Sequence, residues 1–206
     1  MAKQGTRIKE LEWTIKNLRK KEPATNSLNE PVRQILASKI IEANPKTVLE
    51  VGCGYGQNLH ILSQKIPDAK LLGFDMNRTA INYAKKIMQK ATLWTGYIEE
   101  TLQQSADKTI DVTFTNAALM YIAPQDIREV MKNIIRITKK KIVLVELLPT
   151  RWEDDPLGMG TYEKGKWSRN YMAHLKGYPI RITQIPKDSH LDERWKKQGA
   201  IVEAIL

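Results

Sequence analysis

At 206 residues, 42% apolar and 27% charged, the chain is long enough to bury one core of its own, and this balance excludes a disordered polymer. No stretch approaches the roughly 18 uncharged apolar residues of a membrane span. The charged start from Met1 to Trp13 lacks the apolar run of a secretory signal, and the single cysteine, Cys53, excludes an internal disulfide, so a cytoplasmic location is expected. The formal charge of +10 collects in short runs, Lys20-Lys21, Lys85-Lys86, Lys139-Lys140-Lys141 and Lys196-Lys197, which read as solvated helix faces and helix C-termini more readily than as a nucleic-acid surface.

In chain order, Thr6 to Lys21 carries an amphipathic helical pattern (Ile8, Leu11, Trp13, Ile15, Leu18) that Pro23 ends. A second helix follows Pro31, burying Val32, Ile35, Leu36, Ile40 and Ile41, and Asn44-Pro45 stops it. From Thr47 onward short apolar runs alternate with helical segments. Strands are expected at Thr47–Val51, Lys70–Phe74, Ala91–Thr95, Asp111–Thr115 and Lys141–Leu147. Helices are expected at Asn58–Lys65, Thr79–Lys90 and Gln125–Ile137. The tail offers a helix near Arg169–Leu175, a strand at Ile180–Ile185 and a last strand at Ala200–Leu206. Alternation of this length implies βαβ crossovers. The expected fold is α/β: a Rossmann-like, doubly wound, mostly parallel seven-stranded sheet with an antiparallel edge, in three α/β/α layers. Residues 1–206 are expected to form a single domain, with helices and a candidate lid in 1–45, a cofactor-binding core in 46–148, and an acceptor loop and terminal strands in 149–206.

The densest signal is Val48-Leu49-Glu50-Val51-Gly52-Cys53-Gly54-Tyr55-Gly56, a buried strand running into a glycine-rich turn and then a helix. Glycines there permit positive φ and let a ligand approach the backbone. The spacing is G-x-G-x-G, and Gln57 stands where a dinucleotide fingerprint places its third glycine. The loop therefore suits a group without a pyrophosphate. A second strand ends in Asp75, whose carboxylate falls beside the glycine loop and can accept ribose hydroxyls.

Together these segments resemble the class I S-adenosylmethionine (SAM)-dependent methyltransferases, over roughly residues 30 to 148. The resemblance continues at Thr113 to Ile122, which is similar to that family's fourth strand and the loop beneath the cofactor. It implies SAM as cofactor, held by Glu50, Gly52, Cys53, Gly54, Gly56, Asn58, Asp75, Met76, Tyr97, Ile98, Asn116 and Ala117. Within that set Glu50 falls near the methionine amino group, Asp75 at the ribose, and Tyr97-Ile98 at the adenine. The chain departs from the pattern at Tyr97-Ile98, where an acid often meets the adenine, and at Tyr121, where a histidine is common. The tail, with Arg169-Asn170-Tyr171, Gly177-Tyr178-Pro179 and an expected strand from Trp195 to Leu206, loosely resembles small methylases associated with pseudaminic-type sugar biosynthesis.

Methyl transfer demands alignment first and a base only where the acceptor keeps its proton. Tyr121, His174 and Glu146 are the candidate catalytic residues; no metal site is expected. The Asn/Asp-Pro-Pro-Tyr motif of nucleobase amino-group methylation is absent, since the matching stretch reads Asn116-Ala117-Ala118-Leu119. Cys53, inside the cofactor loop, reads as a small packing residue rather than a nucleophile. Acceptor specificity is assigned to the N-terminal helix, the loop after Ile122 and above all the connection from Pro149 to Lys176, rich in aromatics, arginine and acids. The expected function is methylation of a small molecule, such as a sugar or nucleotide-sugar derivative. The alternatives are an RNA or protein methyltransferase and a non-catalytic SAM- or nucleotide-binding module.

Overall fold

The computed structural model describes residues 28, 30–186 and 193–206; the helix expected over Thr6–Lys21 lies outside them. Helix α1 (Pro31–Ile41) begins on a proline at its first turn, where a missing N–H costs nothing. After Asn44, in the left-handed region at φ 42, the chain enters the alternating core. The order is β1 (Thr47–Val51), α2 (Gln57–Lys65), β2 (Lys70–Asp75), α3 (Arg78–Ile87), β3 (Thr92–Thr95), α4 (Ile98–Gln104), β4 (Ile110–Asn116), α5 (Pro124–Ile137) and β5 (Thr138–Leu147). A hairpin follows, β6 (Thr161–Glu163) with β7 (Lys166–Ser168), then β8 (Ile180–Gln184), α6 (Glu193–Gln198) and β9 (Gly199–Ile205).

Seven strands form one sheet in the order β3-β2-β1-β4-β5-β9-β8. The first five are parallel, and β9 and β8 close the edge antiparallel, matching the antiparallel edge expected from the two late strands. Both faces are covered. On one, Val32, Leu36 and Ile40 of α1, Leu59 and Leu62 of α2 and Ile81 of α3 pack on Val48, Val112, Phe114 and Val143. On the other, Leu102 of α4 and Ile127, Val130, Met131 and Ile134 of α5 pack on Leu49, Val51, Phe74 and Leu144. Central strands buried on both faces must be apolar almost throughout, which is why β1, β4 and β5 read so clearly.

Four sequence expectations need adjustment. Residues 98–104 form a helix, α4, that contributes only Leu102 to the core. The helix expected near Arg169–Leu175 is a single 3₁₀ turn, Tyr171–His174. The connection after β5 contains the β6–β7 hairpin, closed by Lys164 (φ 48) and Gly165 (φ 83), the two positive φ values of a type I′ turn. Trp195 belongs to α6, and the last strand starts at Gly199. The lysine runs are largely absorbed locally. Lys85 and Lys86 end α3, Lys139 and Lys140 lie 3.9 and 3.6 Å from Asp111, and Lys141 is buried against Glu203 at 2.5 Å.

Candidate active site

The chain leaves β1 in one direction for β2 and β3 and returns on the other side as β4, so a crevice opens outside the carboxyl ends of β1 and β4. Doubly wound sheets bind ligands at this reversal of strand order. The glycine turn fills its floor. Gly52, Gly54 and Gly56 have φ of +74, +51 and +79, values that a side chain strains to adopt. A Cβ at Gly52 would meet Ala118 Cβ at 2.6 Å, so the turn also packs against the chain leaving β4. Nothing lies within 4 Å of a Cβ placed on Gly54: its backbone faces open space.

Two buried acids flank that opening. Asp75, at the tip of β2, accepts the Gly54 amide on Oδ2 and the Asn77 amide on Oδ1, both at 2.8 Å. Burial pushes its pKa up, and those two amides oppose the shift. Asn77 caps α3 by accepting from the amides of Thr79 and Ala80. Glu50, on β1, is 1% exposed and accepts from Asn58 Nδ2 on Oε1 at 2.6 Å. Its other oxygen, Oε2, has no hydrogen-bond partner among the described residues. Burial raises its pKa to about 8, with Asn58 and Arg33 pulling it down and Asp75 adding to the rise.

Arg33, from α1 and half-buried, donates to Asn58 Oδ1 at 2.5 Å, so Arg33, Asn58 and Glu50 form a relay across α1, α2 and β1 that ends on a buried carboxylate. Asn116 Nδ2 approaches the same Asn58 oxygen at 3.5 Å. Sequence reasoning missed Arg33, because one charged residue beside an apolar stripe looks like any surface arginine. Cys53 is buried and its thiol pKa is raised by burial, then by Glu50 and Asp75, which suits a packing residue and not a nucleophile.

The remaining expected cofactor contacts stand at the same end of the sheet. Met76 is half-buried just past Asp75. Tyr97, exposed, precedes α4, and half-buried Ile98 opens it, beyond β3. Gly96 just before them donates its amide to the Asp75 carbonyl. Asn116 ends β4, and Ala117 follows in the left-handed region at φ 59, an uncommon state for a residue with a Cβ.

The three candidate catalytic residues separate. Tyr121 is half-buried on a 3₁₀ turn, Leu119–Tyr121, directly after the crevice wall of β4. Glu146, on β5, is fully buried and spends its carboxylate on that turn. Oε1 accepts from Thr115 Oγ1 and the amides of Ala118 and Leu119, at 2.8 to 3.0 Å, and Oε2 accepts from the Met120 amide at 3.2 Å. Burial raises its pKa to about 7 against these bonds. Its place is behind the turn, holding it. His174 is not brought to the glycine loop. Its Nε2 lies 3.0 Å from the Gly158 carbonyl, and it borders a separate cavity of about 370 Å³ with Arg128, Lys132 and Leu157, on the outer side of α5. Burial lowers its pKa.

This arrangement matches known proteins. A family model described as a methyltransferase domain matches residues 43–177. The chain belongs to the methyltransferase domain family. It is 25% identical over 142 residues to trans-aconitate 2-methyltransferase of Escherichia coli O139:H28 (strain E24377A / ETEC), covering 68% of this chain and 53% of that one. The chain thus spans about half the length of the curated relatives it matches. In fold it is similar to magnesium protoporphyrin IX methyltransferase from Synechocystis PCC 6803 with bound SAM, at TM-score 0.65 and 13% identity over 93% of this chain and 90% of that one. It is also similar to Haemonchus contortus phosphoethanolamine N-methyltransferase 1, in complex with phosphoethanolamine and S-adenosylhomocysteine (TM-score 0.69, 17% identity, all of this chain and 50% of that one). The sheet order and crevice are those of the class I, SAM-dependent methyltransferase fold. The crevice residues of this methyltransferase domain fit that cofactor: an open glycine backbone at Gly54, a carboxylate at Asp75 with lone pairs to spare, and an unpartnered buried carboxylate oxygen on Glu50 suited to an ammonium group.

Proposed function

We propose that this methyltransferase domain transfers the methyl group of SAM to a small polar acceptor. The observation that carries the reading is the buried Glu50 Oε2, which has no hydrogen-bond partner among the described residues and sits on the strand that runs into the glycine turn. A buried carboxylate oxygen left without a donor is costly, and a cationic amine is the ligand group that relieves it. In this reading Glu50, steadied by Asn58 and Arg33, holds the amino group, and Asp75 holds the ribose hydroxyls. The glycine turn passes beneath the chain linking them. When bound, SAM supplies a sulfonium-activated methyl carbon, and the residues around it have only to align a nucleophile.

Tyr121 is the residue we assign to the acceptor, because its turn follows the crevice wall and is braced from behind by Glu146. The acceptor side is built from the segment after β5, where Trp152 and Tyr162 are exposed and Tyr162 packs on Trp167 with ring centroids 5.0 Å apart. Such rings suit a sugar or nucleotide-sugar derivative. A second reading, an anionic carboxylate acceptor, is favoured by the +10 charge and by the likeness to trans-aconitate 2-methyltransferase. Methyl transfer from labelled SAM to a panel of nucleotide sugars and small polycarboxylates separates the two. Labelling of RNA or protein alone would overturn both.

A further inference from the structure

The turn after β4 is gripped from two sides by buried ions, and only one grip, Glu146, comes from the sheet. The other is Arg169, which follows β7 and is fully buried. Its Nη1 donates to the Leu119 carbonyl at 2.8 Å and its Nη2 donates to the Ile122 carbonyl, bracketing the turn that carries Tyr121. Its Nε donates to the Met159 carbonyl at 3.1 Å, on the approach to the hairpin. A guanidinium taken out of water costs several kcal/mol unless its donors are satisfied. Here three carbonyls, from two segments far apart in sequence, take three of its five N–H donors.

The hairpin end is equally organised. Asp155 accepts from the amides of Met159, Gly160 and Asn170, at 2.8 to 3.1 Å, and folds segment 155–170 back on itself. Arg169 lies 5.1 Å from the Trp167 ring centroid, and its own amide donates to the Leu147 carbonyl at 2.9 Å. Lysine, with a compact ammonium in place of a planar fork, cannot serve three carbonyls spread this way.

We infer that Arg169 is a positioning residue that couples the acceptor segment 155–170 to the turn 118–122, so that the hairpin and the crevice wall order together. For its functional half this rests on the crevice being the cofactor site. If binding stiffens the turn, the same guanidinium stiffens the hairpin, and the coupling is reciprocal.

Amide hydrogen exchange on the full chain tests this, with wild type, Arg169→Lys and Arg169→Met, each with and without S-adenosylhomocysteine. Without ligand, Arg169→Met is expected to speed exchange both at Ala118, Leu119 and Met120 and at Met159, Gly160 and Asn170, by about tenfold or more, as the loss of buried charged hydrogen bonds implies. Amides of β1 and β9 keep their wild-type rates, and Arg169→Lys falls between. With ligand, wild type gains protection in both segments, and Arg169→Met gains it only in 118–122. Faster exchange confined to 155–170 would overturn the coupling, leaving Arg169 a loop anchor. If Arg169→Met does not fold, Arg169→Lys decides: wild-type rates in both segments overturn the proposal and raised rates in both support it. Failure of wild type to bind S-adenosylhomocysteine would refute the cofactor reading, while the ligand-free arm would still judge the coupling.

Discussion

Glu50→Gln should make the protein more stable at alkaline pH and a poorer binder of S-adenosylhomocysteine. In the unfolded chain Glu50 ionises near 4.5 and in the folded chain near 8. Across that window the folded state holds a proton that the unfolded state has lost, so stability falls as pH rises through it. Burial is the main cause; Arg33 and the Asn58 amide, which favour the ionised form, only partly offset it, and Asp75 opposes them. Each unit of displacement weighs about 1.4 kcal/mol. Even a third of the displacement therefore amounts to roughly 1–2 kcal/mol, or about 3–6 °C in Tm for a chain of this length.

Glutamine keeps the Asn58 contact through its oxygen and cannot ionise. Thermal unfolding at a series of pH values should bring the two Tm values closest below about pH 4.5, and give a higher Tm for Glu50→Gln at about pH 8.5. In the same assay, ligand at about 100 times the wild-type Kd adds about 2.7 kcal/mol to wild type. The variant, losing a charged hydrogen bond and about tenfold or more in affinity, should gain at most about half of that. Parallel Tm curves for the two proteins, or a lower Tm for the variant at alkaline pH, would refute the claim that Glu50 is a desolvated acid kept for a ligand.

Other substitutions probe the remaining parts of the site. Gly52→Ala places a Cβ 2.6 Å from Ala118 at φ +74, so chemical denaturation should show a loss of about 1–3 kcal/mol; an unchanged midpoint would mean that the turn has room to shift. His174→Ala should leave S-adenosylhomocysteine affinity within about twofold of wild type, because His174 contacts Gly158 and the α5 cavity rather than the glycine loop. A large loss of affinity would place it in the site after all. Tyr121→Phe should lower kcat/KM with any acceptor found by on the order of a hundredfold with cofactor affinity unchanged, and full turnover would remove Tyr121 from the reaction.

The parts of this fold legible in the sequence are those where one force dominates. β1, β4 and β5 are buried on both faces, so their apolar runs could hardly be anything else, and the glycines after β1 mark a backbone that must reach positive φ. The hairpin was hidden because β6 is exposed along its whole length and carries no apolar alternation; Lys164-Gly165 was its one turn signal. Helix α4 escaped because seven residues with a single buried leucine show no period. Charged residues were the hardest to place. Arg33, Glu146 and Arg169 are ordinary letters in a basic chain, and only their burial and partners show that they hold the crevice and its turn. Glu146 read as a candidate base because its type fits the chemistry, whereas its four hydrogen bonds fix it behind the turn.

The central claim, that the crevice at the ends of β1 and β4 is a SAM site, is tested most directly by calorimetric titration of S-adenosylhomocysteine into wild type and Asp75→Ala. Binding in the micromolar range is expected for wild type, with its loss in the variant, since Asp75 orders Gly54 and keeps lone pairs for the ribose hydroxyls of the proposed cofactor. Absence of binding to wild type, or equal binding by both proteins, would contradict it.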